Sequence, residues 1–262
     1  MKTFITSINQ KLYESYGKKF IDTWIKHAQN DIKLIICFEG DIPTEINNYS
    51  SERLIIININ TDKQASFLKK FSKFNEARRI KLFKNAMDNT TLKYSYNYRF
   101  DAIRFSFKIF SFIKCFELKL INSDFAWIDA DIVCLKDFDS YKLKSIFPDD
   151  EQLASYLGRI NFPRPNPYSE CGFLGYNFKH PKCNDFINDM YRLYESGDLF
   201  TLLEWHDCMV FDNIRSKYED TGIYFKNLSA HLPEADHPFM KTELANYFDH
   251  LKGPERKKIG HS

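Results

Sequence analysis

The chain is 262 residues long and contains no stretch that reads as a flexible linker, so one domain is expected. No apolar run approaches membrane-spanning length, and the opening MKTFITSINQ has neither a long apolar region nor a cleavage site. Charge of neither sign dominates. The 37 Lys and Arg face 35 Asp and Glu, a net of +2, and that supplies no field strong enough to argue for nucleic acid as a partner. A small anionic ligand stays compatible with it. The six cysteines (37, 115, 134, 171, 183 and 208) lack paired spacing and several sit inside apolar runs. They read as buried thiols in a reducing compartment, not a disulfide framework. His180 with Cys183 and His206 with Cys208 do not have the spacing of a zinc finger. Internal repeats and low-complexity segments are also missing. These absences point to a cytoplasmic globular protein with at most peripheral membrane association.

Aromatic residues are plentiful, with 25 Phe and 15 Tyr. A large core is their ordinary meaning, and sugar-stacking surfaces are the sharper one. Apolar runs at Lys2–Ile8, Ile32–Phe38 and 54–59 predict buried strands, and a helical pattern through Tyr16, Phe20, Trp24 and His27 separates the first two. That alternation predicts an α/β fold with a mostly parallel central sheet covered by helices. Residues 63–87, rich in Lys, Phe and Ala without Gly or Pro, predict one or two helices. From Arg99 onward, Phe100, Ile103, Phe107 and Phe110 fall on one helical face, while Arg104 and Lys108 share another that reads as a solvated basic stripe. Strands are predicted at 153–157, 172–176 and 223–228, and helices at 181–194 and around 203–218. Prolines 163, 165 and 167 mark an extended flap between the first two of those strands.

The stretch FAWIDADIV, Phe125 to Val133, runs an apolar strand straight into Asp129 and Asp131. Residues two apart on a strand point the same way, so the two carboxylates converge if the strand persists to residue 131. Ligands of open parallel sheets collect beyond the carboxyl ends of the strands. Two carboxylates held close there repel unless a cation lies between them, and Mg²⁺ or Mn²⁺ suits an all-oxygen pair that completes its shell with phosphates. A second pair, Asp137 and Asp139, has no apolar strand before it and reads as a surface turn.

WIDADIVCLKDFD resembles the strand and DxD motif of GT-A fold glycosyltransferases, in particular the branch with glycogenin and the lipopolysaccharide galactosyltransferases. HLKGPERKK places His250, Gly253 and Arg256 at the offsets of that branch's C-terminal metal and phosphate motif, with Lys257 and Lys258 where the family ends in Pro-Trp. The resemblance implies a single GT-A-like, Rossmann-like α/β domain over 1–262, with a nucleotide-binding half (1–131) and an acceptor and sugar half (132–262). It implies Asp129, Asp131 and His250 as ligands of Mn²⁺ or Mg²⁺, and a nucleoside-diphosphate sugar, UDP favoured, as donor. Thr6 and Ser7 match the site of base and ribose, Arg104 the arginine that reaches the donor, Gly172 in SECGFLGYN the turn lining the sugar pocket, and Gly253, Arg256 and Lys257 the phosphate clasp. In SECGFLGYN, Glu170 stands where Asn or Thr is usual. Glu204 and Asp207, in EWHD, match the acids beside the transferred sugar, with Cys208 where the family has Gln.

The expected activity is hexosyl transfer in polysaccharide biosynthesis to a glycan, lipid-linked or other hydroxyl acceptor, leaning towards retention. Asp207 and Glu204 are then candidates for a base or for gripping sugar hydroxyls. A haloacid-dehalogenase-like phosphatase also carries DxD after an apolar strand, but near its N-terminus and with Thr where Val133 stands here. A non-catalytic nucleotide-sugar-binding protein is the alternative outside enzymes.

Overall fold

The computed structural model describes residues 1–72, 80–84, 92–159, 168–232 and 237–252. Strand β1 (Lys2–Ile8) leads into a helical run of α1 (Gln10–Leu12), a π turn at Tyr13–Gly17, and α2 (Lys18–His27). Asn9 starts that run by accepting from Leu12 N at 3.0 Å. Gly17 lets the turn lie on β1, because a Cβ there would stand 1.9 Å from Ile8 Cδ1. Then come β2 (Ile32–Phe38), α3 (Thr44–Asn47), β3 (Leu54–Asn58) and α4 (Asp62–Phe71). The next strands, β4 (Ile80–Lys84) and β5 (Leu92–Tyr96), form an antiparallel pair. The helices expected over 63–87 are therefore right only as far as α4. Ile80–Lys84 (IKLFK) pairs residue for residue with Leu92–Tyr96, a partner that a Lys-rich composition does not announce.

Helix α5 (Ala102–Glu117) starts at the cap Asp101, whose Oδ1 accepts from Arg104 N at 3.1 Å. It returns the chain to β6 (Phe125–Ile128), followed by β7 (Ile132–Cys134), β8 (Gln152–Leu157) and β9 (Glu170–Tyr176). Helix α6 (Cys183–Ser196) stops at Gly197, which takes the left-handed conformation at φ 86°. Helix α7 (Asp207–Glu219) begins later than the expected 203–218. Trp205 N is tied to Arg99 O and His206 takes the cap position, so the helix cannot start earlier. Strands β10 (Tyr224–Asn227) and β11 (Phe248–His250) complete the chain.

Seven strands form the main sheet in the order β10-β8-β9-β6-β1-β2-β3. The pairs β1–β2, β2–β3, β1–β6 and β8–β10 are parallel, and β9 runs antiparallel between β6 and β8. Strand alternation sends Phe125 and Trp127 to one core with α5, α6 and α7, and Ala126 and Ile128 to another with α2 and β11. Trp24, Tyr176, Tyr194 and nine phenylalanines are among the largest wholly buried side chains, so most of the aromatic excess is core. Cys37, Cys115, Cys134, Cys171 and Cys183 are buried free thiols, and Cys208 is half-buried. Among the described residues no helix is long and apolar enough to cross a membrane.

Candidate active site

Strand β6 ends at Ile128, so the condition that it persist to residue 131 is not met, although Asp129 N still donates to Gly172 O on β9 at 3.0 Å. The chain then turns into β7, which pairs antiparallel with β11 so that Ile132 faces His250. Leu251 N donates to Asp131 O at 2.8 Å and closes the loop. The two carboxylates thus converge by a route other than a continuous strand. His250 Nε2 lies 3.1 Å from Asp131 Oδ1 and 3.9 Å from Asp129 Oδ2. One ligand atom from each of Asp129, Asp131 and His250 falls within 4.8 Å of the other two. Gly172 makes the room, since a Cβ there would sit 2.8 Å from His250 Cε1 and 3.6 Å from Asp129 Oδ2.

Each of these groups is held from behind. Trp127 Nε1 donates to Asp129 Oδ1 at 2.6 Å, and Lys108 Nζ lies 3.7 Å from the same oxygen. That leaves Asp129 Oδ2 facing the histidine. Lys108 also donates to Cys171 O at 2.6 Å and to Asp207 Oδ2. Burial favours a neutral lysine, but Asp207 and then Asp129 outweigh it and hold the ammonium's pKa above its ordinary value. In turn, burial would raise the Asp207 pKa, yet Lys108 and His206 bring it below the usual range. On the far side of the imidazole, His250 Nδ1 lies 3.4 Å from Glu170 Oε1. Burial disfavours the imidazolium, Asp131 favours it and prevails, and the His250 pKa is pushed up to about 9.

These residues face a cavity of about 1270 Å³. It brings together Ser7, Arg104, Asp129, Asp131, Gly172, Asp207 and His250, seven of the residues singled out by sequence. Thr6 is wholly buried in β1 and Glu204 is outside the lining; its carboxylate meets Arg99 Nη1 at 3.1 Å and His206 Nε2 at 2.8 Å. Gly253, Arg256, Lys257 and the prolines of the expected flap lie outside the described residues.

Three contributors were not legible beforehand. Lys108 is 6% exposed, not part of a solvated stripe, and the signal was the run of Lys108, Ser111 and Cys115 on one helix face, too small and apolar for a surface. Glu39, at the carboxyl end of β2, takes bonds from Ser7 Oγ at 3.0 Å and Asn9 Nδ2 at 3.1 Å. Glu170 is 2% exposed at the start of β9 and sits against four basic groups.

No protein-family model and no curated protein sequence matches the chain. Solved structures do. The apo structure of the WbbM bifunctional glycosyltransferase aligns with 96% of this chain and 46% of its own, at a TM-score of 0.50 and 12% identity. The chain therefore spans less than half of that protein's length. The apo form of mouse xyloside xylosyltransferase 1 aligns with 87% of this chain and 85% of its own, at a TM-score of 0.46 and 8% identity. The likeness to the first, with the seven-stranded mostly parallel sheet, shows a single GT-A-like α/β fold.

Proposed function

We propose that this protein is a metal-dependent glycosyltransferase. It moves a hexose from a nucleoside-diphosphate sugar, UDP first among them, to a glycan, lipid-linked or other hydroxyl acceptor, with retention. One observation carries the reading: Asp129 Oδ2, Asp131 Oδ1 and His250 Nε2 converge at the carboxyl ends of parallel strands, on the wall of a cavity of about 1270 Å³. That volume exceeds the several hundred Å³ of an ordinary small-ligand pocket. The GT-A-like fold supports the same reading.

The donor set fits Mn²⁺ or Mg²⁺. It offers two carboxylate oxygens and one imidazole nitrogen, with room left by Gly172. Bound there, such an ion supplies a Lewis acid for the departing diphosphate. The chain's own residues do the rest. Ser7 and Glu39, at the ends of β1 and β2, offer hydroxyl and carboxylate partners for a ribose. Arg104, on the first turn of α5, brings positive charge to the cavity wall, and the sequence adds Arg256 and Lys257 after His250. Asp207 lines the cavity as a carboxylate locked by Lys108. A carboxyl paired with a buried ammonium is a weaker base than a free one, so its work is to grip a sugar hydroxyl. This agrees with retention.

Thermal unfolding against UDP, GDP, CDP and dTDP, each with and without Mn²⁺, tests the reading. Stabilisation by one nucleotide that needs the metal and vanishes in Asp131→Asn is expected, as is slow metal-dependent hydrolysis of the matching sugar donor. Stabilisation indifferent to metal and to Asp131, or turnover only of phosphomonoesters, overturns it.

A further inference from the structure

We propose that Glu170 is a positioning residue for His250, holding the imidazole by Nδ1 so that Nε2 is the nitrogen presented between Asp129 and Asp131. The proposal rests on the metal-site reading above and adds a residue to it.

The geometry is specific. The ring of His250 has a carboxylate on each side: Asp131 Oδ1 is 3.1 Å from Nε2 and Glu170 Oε1 is 3.4 Å from Nδ1. Only one side opens to Asp129. Histidines that ligate metals usually give their other ring N–H to a carboxylate or carbonyl, which fixes the tautomer and raises the ligand's basicity. Glu170 is suited to that task because three other basic groups hold its carboxylate. Arg159 Nη2 donates to its Oε2 at 2.8 Å, Lys252 Nζ to its Oε1 at 2.8 Å, and His237 Nδ1 lies 3.1 Å from Oε2.

The same contacts exclude another role. Glu170, His237 and His250 also bring ligand atoms within 4.8 Å of one another. Arg159 and Lys252 already supply two full positive charges to that carboxylate, so a second divalent ion would meet repulsion there. The hub serves the first site. It also links Arg159, two residues past β8, the start of β9, and Lys252, two residues past β11, through one side chain.

Manganese binding in the presence of UDP, read from the spin-resonance signal of free Mn²⁺, tests this with wild type, Glu170→Gln and Asp131→Asn. Wild type is expected to bind, Asp131→Asn to lose binding, and Glu170→Gln to bind about 10- to 100-fold more weakly with unchanged circular dichroism. Binding by Glu170→Gln within about twofold of wild type would overturn the positioning role and leave the metal site standing. Absence of binding by wild type removes the metal reading and this role together. Should Glu170→Gln fail to fold, nitrogen spectra of ¹⁵N-histidine-labelled wild type with Mg²⁺ and UDP decide, with His250 assigned by its loss in His250→Gln. A proton on Nδ1 and none on Nε2 supports the role, and the opposite tautomer overturns it. A merely structural glutamate would not fix that tautomer.

Discussion

Lys108 Nζ and the Asp207 carboxylate form a buried ion pair that joins the middle of α5 to the first turn of α7, with 6% and 7% of the two side chains exposed. Breaking one half of such a pair strands the other charge, whereas replacing both with apolar groups is often neutral or stabilising. Lys108→Met is therefore expected to cost about 3–5 kcal/mol in urea unfolding, and Lys108→Met with Asp207→Leu to regain most of that loss. A double variant as unstable as the single one would mean that packing, not charge, holds the two helices together.

Gly172 supports the proposed metal site by having no side chain. A Cβ at this position would stand 2.8 Å from His250 Cε1 and 3.2 Å from Nδ1, on a ring that is 3% exposed and has nowhere to retreat. Gly172→Ala should turn or push the imidazole and weaken Mn²⁺ binding about tenfold or more, a loss of the size seen when a ligand's supporting contacts fail. Calorimetric titration with Mn²⁺ in the presence of UDP measures it. Unchanged affinity would show that the ring absorbs the methyl group.

The first sheet strands were legible because they are short apolar runs bounded by polar residues. β1 and β2 match Lys2–Ile8 and Ile32–Phe38 to the residue. The pair Asp129 and Asp131 was legible because charge at the end of such a run has no packing explanation. The reading of Asp137 and Asp139 as a surface turn holds only in part: Asp137 is exposed and Asp139 Oδ1 accepts from Lys142 N at 2.7 Å at the start of a turn, but Phe138 between them is wholly buried and bridged to Ala28. What could not be read were the partners from distant segments. Lys108 and Asp207 are 99 positions apart, and Glu170 meets Lys252 across 82. Periodicity assigns a lysine on a helix to water, and only the packing of α5 against α7 reveals the carboxylate that draws it inward. The β4–β5 pair was missed for a related reason, since a Lys-rich strand has the composition of a surface helix.

Glu39 gives a test of the nucleotide end of the cavity. Burial raises its pKa, with Ser7 and Asn9 as the hydrogen bonds that oppose the shift. A ribose hydroxyl donating to this carboxylate makes a bond to a charged group, worth about 1.5–3 kcal/mol. Glu39→Ala is expected to weaken UDP binding by about tenfold or more while leaving Mn²⁺ binding near wild type. Equal loss of both would place Glu39 at the metal instead, and no loss of either would remove it from the nucleotide site.

His206 sets a pH dependence of stability. It is 1% exposed, stands at the position before α7, lies 2.8 Å from Glu204 Oε2 and packs against the Tyr168 ring at 4.4 Å between centroids; its Nδ1 can accept from Met209 N only when the ring is neutral. Burial works against its charge, but Cys208 and Glu204 outweigh burial and push its pKa up to about 10. In the unfolded chain an imidazole titrates near about 6.5. A folded pKa above the unfolded one means the folded state binds the proton more tightly. The stabilisation is therefore complete below about pH 6.5 and is lost as pH rises towards about 10. His206→Gln keeps a polar side chain without the titration, so the stability gap between wild type and variant should be widest at low pH and shrink through that window. Urea unfolding of both proteins across the window measures the gap. A gap that stays constant would mean that the cap and the ring packing, not the charge, are what this histidine contributes.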